Sequence, residues 1–117
     1  MTEVALELYR RELLKGSTET LLLSLLADEP MYGYQLVKEM ERRSSGYFRF
    51  KEGTLYPALH RLERDGLVEG RWKESPTGQN RRYYYITEKG RERLASMLEE
   101  WSLFIKAVNL VARPGTA

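Results

Sequence analysis

Leu94, Met97, Trp101, Phe104, Val108 and Val111 follow one another at steps of 3, 4, 3, 4 and 3 residues. That alternation is the a/d seam of a helix that packs against another helix, widened here by Leu98 and Ile105. Thr87 caps its start, and Glu88 stands in the first turn, where the helix dipole favours an anion. From Glu88 to Ala112 such a helix is ~37 Å long at a rise of 1.5 Å per residue. A chain of 117 residues and 13.7 kDa makes one domain, or one small domain with an appendage, and cannot cover that helix along its whole length. The seam from Leu94 to Val111 therefore implies a homodimer, buried against its counterpart or against the first helix of the other subunit.

Composition narrows the function. The chain is 42% hydrophobic and 31% charged, enough to bury a core and stay soluble. It has no cysteine, which excludes disulfide frameworks, thiolate metal sites and cysteine nucleophiles. One histidine, His60, cannot complete a metal site or a catalytic triad. No metal and no cofactor is expected. The apolar run Leu21–Leu23 is far short of a membrane span, and Glu3, Glu7, Arg10 and Arg11 interrupt any secretory signal. These features predict a cytoplasmic protein that binds and does no chemistry. Adjacent acids such as Glu99 and Glu100 point different ways on a helix, and no glycine-rich phosphate loop follows a strand.

The net charge of +2 conceals an asymmetry. Between Arg42 and Arg93 there are 13 basic and 7 acidic residues, whereas the rest holds 6 basic and 10 acidic. A basic middle with acidic flanks suits contact with a polyanion, although a solvated charged face has the same composition.

Helical spacing of Leu6, Leu13, Leu14, Leu21, Leu22 and Leu25 predicts a first helix over Ala5–Ala27, which Gly16 can kink or relieve of its first turns. Pro30 pushes Glu29 out of the α region and ends it. A second helix spans Gly33–Ser44 with Leu36, Val37 and Met40 as its stripe, and Tyr47 to Phe50 form an extended link. A third runs over Glu52–Asp65, with Leu55, Leu59 and Leu62 inward, Pro57 early enough to be tolerated and Gly66 at a left-handed cap. Strands Val68–Ser75 and Arg81–Thr87 flank a turn of Pro76, Thr77, Gly78, Gln79 and Asn80. Tyr84 and Ile86 share an inward face, and Arg71, Lys73, Arg81 and Arg82 crowd towards the tip.

Three helices followed by a basic hairpin have the order of a winged helix-turn-helix. The fold class predicted is mainly α with a small β hairpin, a winged helix-turn-helix plus a long C-terminal dimerisation helix. Residues 1–87 form the winged helix-turn-helix, with the N-terminal helix also serving the dimer; residues 88–112 are the dimerisation helix and 113–117 a tail. The third helix suits the major groove of double-stranded DNA. Its outward side carries Thr54, Pro57, His60, Arg61 and Arg64, with Tyr56 at the flank, a set fitted to phosphates and base edges. Tyr34, Lys51, Gln79, Asn80, Arg81 and Arg82 complete the expected DNA-binding surface, the hairpin reaching flanking phosphates or a minor groove. The competing function is a winged helix used for protein interaction without DNA, which predicts a neutral third helix and wing.

Four segments then carry a resemblance. Tyr32-Gly33-Tyr34-Gln35-Leu36, Gly53-Thr54-Leu55-Tyr56-Pro57-Ala58-Leu59-His60-Arg61-Leu62-Glu63, Asp65-Gly66-Leu67 and Arg82-Tyr83-Tyr84-Tyr85-Ile86-Thr87-Glu88-Lys89-Gly90 resemble the signature segments of PadR-type transcriptional regulators, in the right order from about Leu13 to Val111. The single C-terminal helix resembles the short subfamily, in which that helix builds the dimer. The resemblance implies a dimeric repressor acting on a palindromic operator. It also implies a planar aromatic or phenolic effector stacked on a tryptophan at the dimer interface, and Trp101 in Glu100-Trp101-Ser102 matches that position. Met97 and Phe104, each within one turn, would line the walls of that site. Several of these residues have plainer roles open to them. Trp101 can simply pack the interface, the tyrosines Tyr83–Tyr85 can pack the hairpin, Arg81 and Arg82 can solubilise its end, and Thr54, Tyr56 and Pro57 can shape the helix start.

Overall fold

In a computed structural model that describes residues 2–113, the order of elements is α1 (Glu3–Leu14), α2 (Thr18–Asp28), β1 (Met31–Tyr32), α3 (Gly33–Arg43), α4 (Glu52–Arg64), β2 (Val68–Glu74), β3 (Asn80–Ile86) and α5 (Glu88–Ala112). The expected tail falls outside the described residues except for Arg113, which closes α5 in the left-handed conformation. No helix among the described residues is long and apolar enough to cross a membrane.

The single N-terminal helix expected over Ala5–Ala27 is two helices. Gly16, at φ +83°, takes a left-handed turn that breaks the register, and the Ser17 N–H bonds back to the Leu14 carbonyl at 2.9 Å. The two halves then have different fates. Thr20, Leu22, Leu23, Leu25 and Leu26 of α2 are buried, whereas no residue of α1 is buried among those described.

A second correction concerns the sheet. It has three strands and not two, in the order β1-β3-β2 and antiparallel throughout. The added strand pairs Met31 with Tyr84 and Tyr32 with Tyr83, and two residues are too short to show strand alternation in sequence. The hairpin register runs from Val68 opposite Ile86 to Glu74 opposite Asn80. Its turn closes through Ser75 N–H to the Gln79 carbonyl at 2.7 Å, with Gly78 left-handed.

The core lies where α2, α3, α4 and the sheet meet. Leu22, Leu26, Leu36, Leu55, Leu59, Leu62, Leu67, Val68 and Tyr84 are closed off from solvent, each aliphatic side chain contributing about 1.5–3 kcal/mol of burial. Gly66 takes the expected left-handed cap, at φ +75°. The Thr87 hydroxyl accepts the Gly90 N–H at 3.0 Å and lies 2.7 Å from the Gly66 carbonyl, tying the end of α4 to the start of α5. Leu94 is the last residue of α5 that the core encloses. Beyond it the helix runs out of the domain, which gives the molecule extents of 54 × 33 × 21 Å.

Candidate nucleic-acid interface

The periodicity of α4 decides which side chains are offered outward. Leu55, Ala58, Leu59 and Leu62 are buried, so the opposite side leaves Thr54, Tyr56, Pro57, His60, Arg61 and Arg64 exposed, as the sequence implied. Lys51 is exposed at the N-cap of α4 and Tyr34 is exposed in the first turn of α3.

The rest of the surface comes from the wing. Gln79 and Asn80 are exposed at its turn. Arg81 is half-buried, its guanidinium 4.3 Å above the Tyr32 ring and bonded to the Gln79 side-chain carbonyl at 2.6 Å. Arg82 points to the other face of the hairpin, towards α4, where it meets Glu63 at 2.5 Å. That hydrogen bond raises the Arg82 pKa above the ordinary guanidinium value. Burial pushes the neighbouring Tyr84 phenol up as well.

Between wing and helix runs an open groove of about 550 Å³. It brings together Tyr34, Tyr56, His60, Asn80, Arg81 and Arg82 of the expected surface, with buried Tyr84 at its base. Lys51, Thr54, Pro57, Arg61, Arg64 and Gln79 are exposed around it and do not line it. Three wall residues were missed in sequence: Tyr32, Glu52 and Trp72. A signal existed for Trp72, a large aromatic between Arg71 and Lys73 on a short hairpin; it is 68% exposed. For Glu52 and Tyr32 no local signal exists.

Two contacts join the outward helix to its neighbours beyond the buried stripe. The Tyr56 ring lies against the first residue of α3, so closely that a Cβ at Gly33 would stand 2.5 Å from its hydroxyl. Arg61 is drawn towards α2 by Glu19, at 2.9 Å with both side chains partly exposed. A pair so placed contributes only about 0–1 kcal/mol, so Arg61 can exchange Glu19 for another anion. On α3, Arg42 and Arg43 hydrogen-bond Glu39 and hold its carboxyl down to about 2.

The seam of α5 lies apart from this face. Met97 and Trp101 are half-buried, while Leu98, Ile105 and Val108 are exposed, Phe104 is 63% exposed and Val111 88%. Val4, Leu8, Tyr9 and Leu13 of α1 are exposed too.

The profile of the transcriptional regulator PadR-like family matches residues 22–96, well over half of the chain. A transcriptional regulator of Mycobacterium tuberculosis is 37% identical over 84 residues, covering 72% of this chain and 75% of its own. The crystal structure of a PadR-like transcriptional regulator from Bacillus cereus superimposes with a TM-score of 0.78 at 34% identity, covering 90% of this chain and 99% of that one. A PadR family regulator from Eggerthella lenta reaches 0.81 at 29% identity, covering 97% and 96%. With the family profile matched over residues 22–96, the chain belongs to the PadR-like family of transcriptional regulators.

Proposed function

We propose that the protein is a dimeric, sequence-specific DNA-binding repressor that acts in the cytoplasm and is released from its operator by a small planar aromatic effector. The observation that carries this reading is the common orientation of the exposed α4 face and the wing, which open on one groove with Tyr56, His60, Arg81 and Arg82 along it. In this reading residues 2–87 form the DNA-binding unit and residues 88–112 the dimerisation helix. Arg61, Arg64 and Lys51 supply phosphate and base contacts beside the groove. The uncovered seam of α5, with the apolar side chains of α1, supplies the dimer surface, which sets two α4 helices one DNA turn apart, ~34–36 Å.

The effector site is proposed at Trp101, with Met97 and Phe104 beside it. Two indoles near one symmetry axis can hold a flat guest between them. Binding there couples to the operator through the angle between the two DNA-reading heads, with a coupling of typically ~1–3 kcal/mol. In a Trp72→Phe background, flat aromatic compounds are expected to quench Trp101 emission and weaken operator binding together. Unchanged emission and affinity would reduce α5 to a dimer clasp.

Selection of bound duplexes from random DNA tests the main reading. A two-fold symmetric motif is expected. Absence of any enriched sequence would favour the protein-interaction alternative.

A further inference from the structure

The wing is a two-stranded ribbon that projects beyond the core, and such a ribbon has little stability or fixed direction of its own. Its base is fixed by the buried Val68 and Tyr84 and by the pairing of β3 with β1, and Glu63 of α4 adds a polar tie to both of its strands. Glu63 Oε2 accepts from Arg82 Nη2 of β3 at 2.5 Å and from the Gly70 N–H of β2 at 3.1 Å. One carboxylate oxygen on α4 thus takes a donor from each strand of the wing. Because β2 is an edge strand of the sheet, the Gly70 amide finds this acceptor outside the sheet.

Gly70 contributes a second feature. A Cβ there would overlap the Arg82 guanidinium, so the absence of a side chain on β2 leaves the path along which Arg82 crosses to α4. Arg82 and Glu63 are 34% and 30% exposed, and the guanidinium passes 5.9 Å from the buried Tyr84 ring. Its Nη2 N–H is committed to Glu63 on α4. Arg64, by contrast, is 70% exposed and pairs with its sequence neighbour Asp65 at 3.2 Å.

The geometry points to Glu63, Arg82 and Gly70 as a latch that locks the wing onto the DNA-reading helix, with Arg82 a positioning residue and not a phosphate contact. This rests on the DNA-binding function proposed above. A wing held at a fixed angle meets the backbone without first giving up its freedom of motion, which otherwise subtracts from affinity. Glu63, an anion beside a polyanion, then strengthens binding by what it holds.

The test compares operator affinity across salt concentrations for the full chain and for Arg82→Met and Glu63→Leu, with amide exchange across β2 and β3 measured without DNA. Each variant is expected to weaken binding about tenfold, the effect of one charge-assisted hydrogen bond, and the double variant no further. The slope of log affinity against log salt is expected to stay at the wild-type value, and wing amides to exchange faster. Gly70→Ala keeps both charges and displaces only the guanidinium, so it is expected to give the same loss of protection.

A fall in salt slope of about one unit for Arg82→Met, with tighter binding by Glu63→Leu, would make Arg82 a phosphate contact and overturn the latch. If the wild type bound no duplex, the DNA function would fail separately. The exchange data would still decide the latch: faster wing exchange in Arg82→Met and Gly70→Ala supports it, and unchanged exchange refutes it.

Discussion

Helix α4 and the outer half of α5 are both amphipathic, yet they spend their apolar faces differently. The stripe of α4 is consumed inside the chain, since Leu55, Leu59 and Leu62 are fully enclosed by α2, α3 and the sheet. The seam of α5 is enclosed only at Leu94; Met97 and Trp101 are half-buried, and Leu98, Phe104, Ile105, Val108 and Val111 face solvent. A helix whose apolar side is covered has its polar side free for recognition. A helix whose apolar side is uncovered still lacks a partner, because exposed contiguous apolar surface of this kind marks an interaction site.

The largest expected effect comes from making the α5 seam polar. Phe104→Glu with Val108→Glu should abolish the dimer and, with it, operator binding, while the fold of α2–α4 survives. Sedimentation and far-UV circular dichroism on the same sample check both halves of that outcome. Next is truncation inside α4. Leu59→Ala removes a fully buried side chain and should cost about 2–5 kcal/mol in chemical denaturation. In the monomeric double variant, Val111→Ala should leave unfolding almost unchanged, since the side chain is already 88% exposed. Equal costs at the two positions would erase the contrast between the helices.

Changes to the exposed side of α4 come third. His60→Ala and Arg61→Ala should each weaken binding to the selected operator by ~1–3 kcal/mol where a base contact is lost, without lowering the melting temperature by more than a small amount. Unaltered gel-shift affinity for both would remove α4 from the interface. The smallest effect is a pH dependence on α3. Arg42 and Arg43 hold the Glu39 carboxyl down to about 2 from an ordinary value of 4.5. Its contribution to stability is therefore complete above 4.5 and lost as pH falls from there towards 2. The melting-temperature difference between wild type and Glu39→Gln should close over that window.

Features with a local period were legible before the structure. The stripe of α4 and its polar reverse follow from i, i+4, i+7 spacing, and the bounds of α5 follow from Thr87 and the seam. The break at Gly16 was visible only as an option, because glycine permits a left-handed turn without demanding one. Strand β1 has two residues and no period. The ion pairs that organise the candidate interface were illegible for another reason. Arg82 meets Glu63 across 19 residues and Arg61 meets Glu19 across 42, and pairing at that range depends on the packed core and leaves no local trace. Trp72 did carry a local signal, a large aromatic between Arg71 and Lys73, but its place in the groove depends on how the wing sits against α4.

Sedimentation equilibrium at micromolar concentration, alone and with the selected duplex, tests most directly whether the uncovered seam of α5 is the reason two α4 helices read DNA together. The account predicts the mass of two 13.7 kDa chains in free solution and two chains on each duplex. A single chain in solution, or a single chain saturating a duplex, would contradict it.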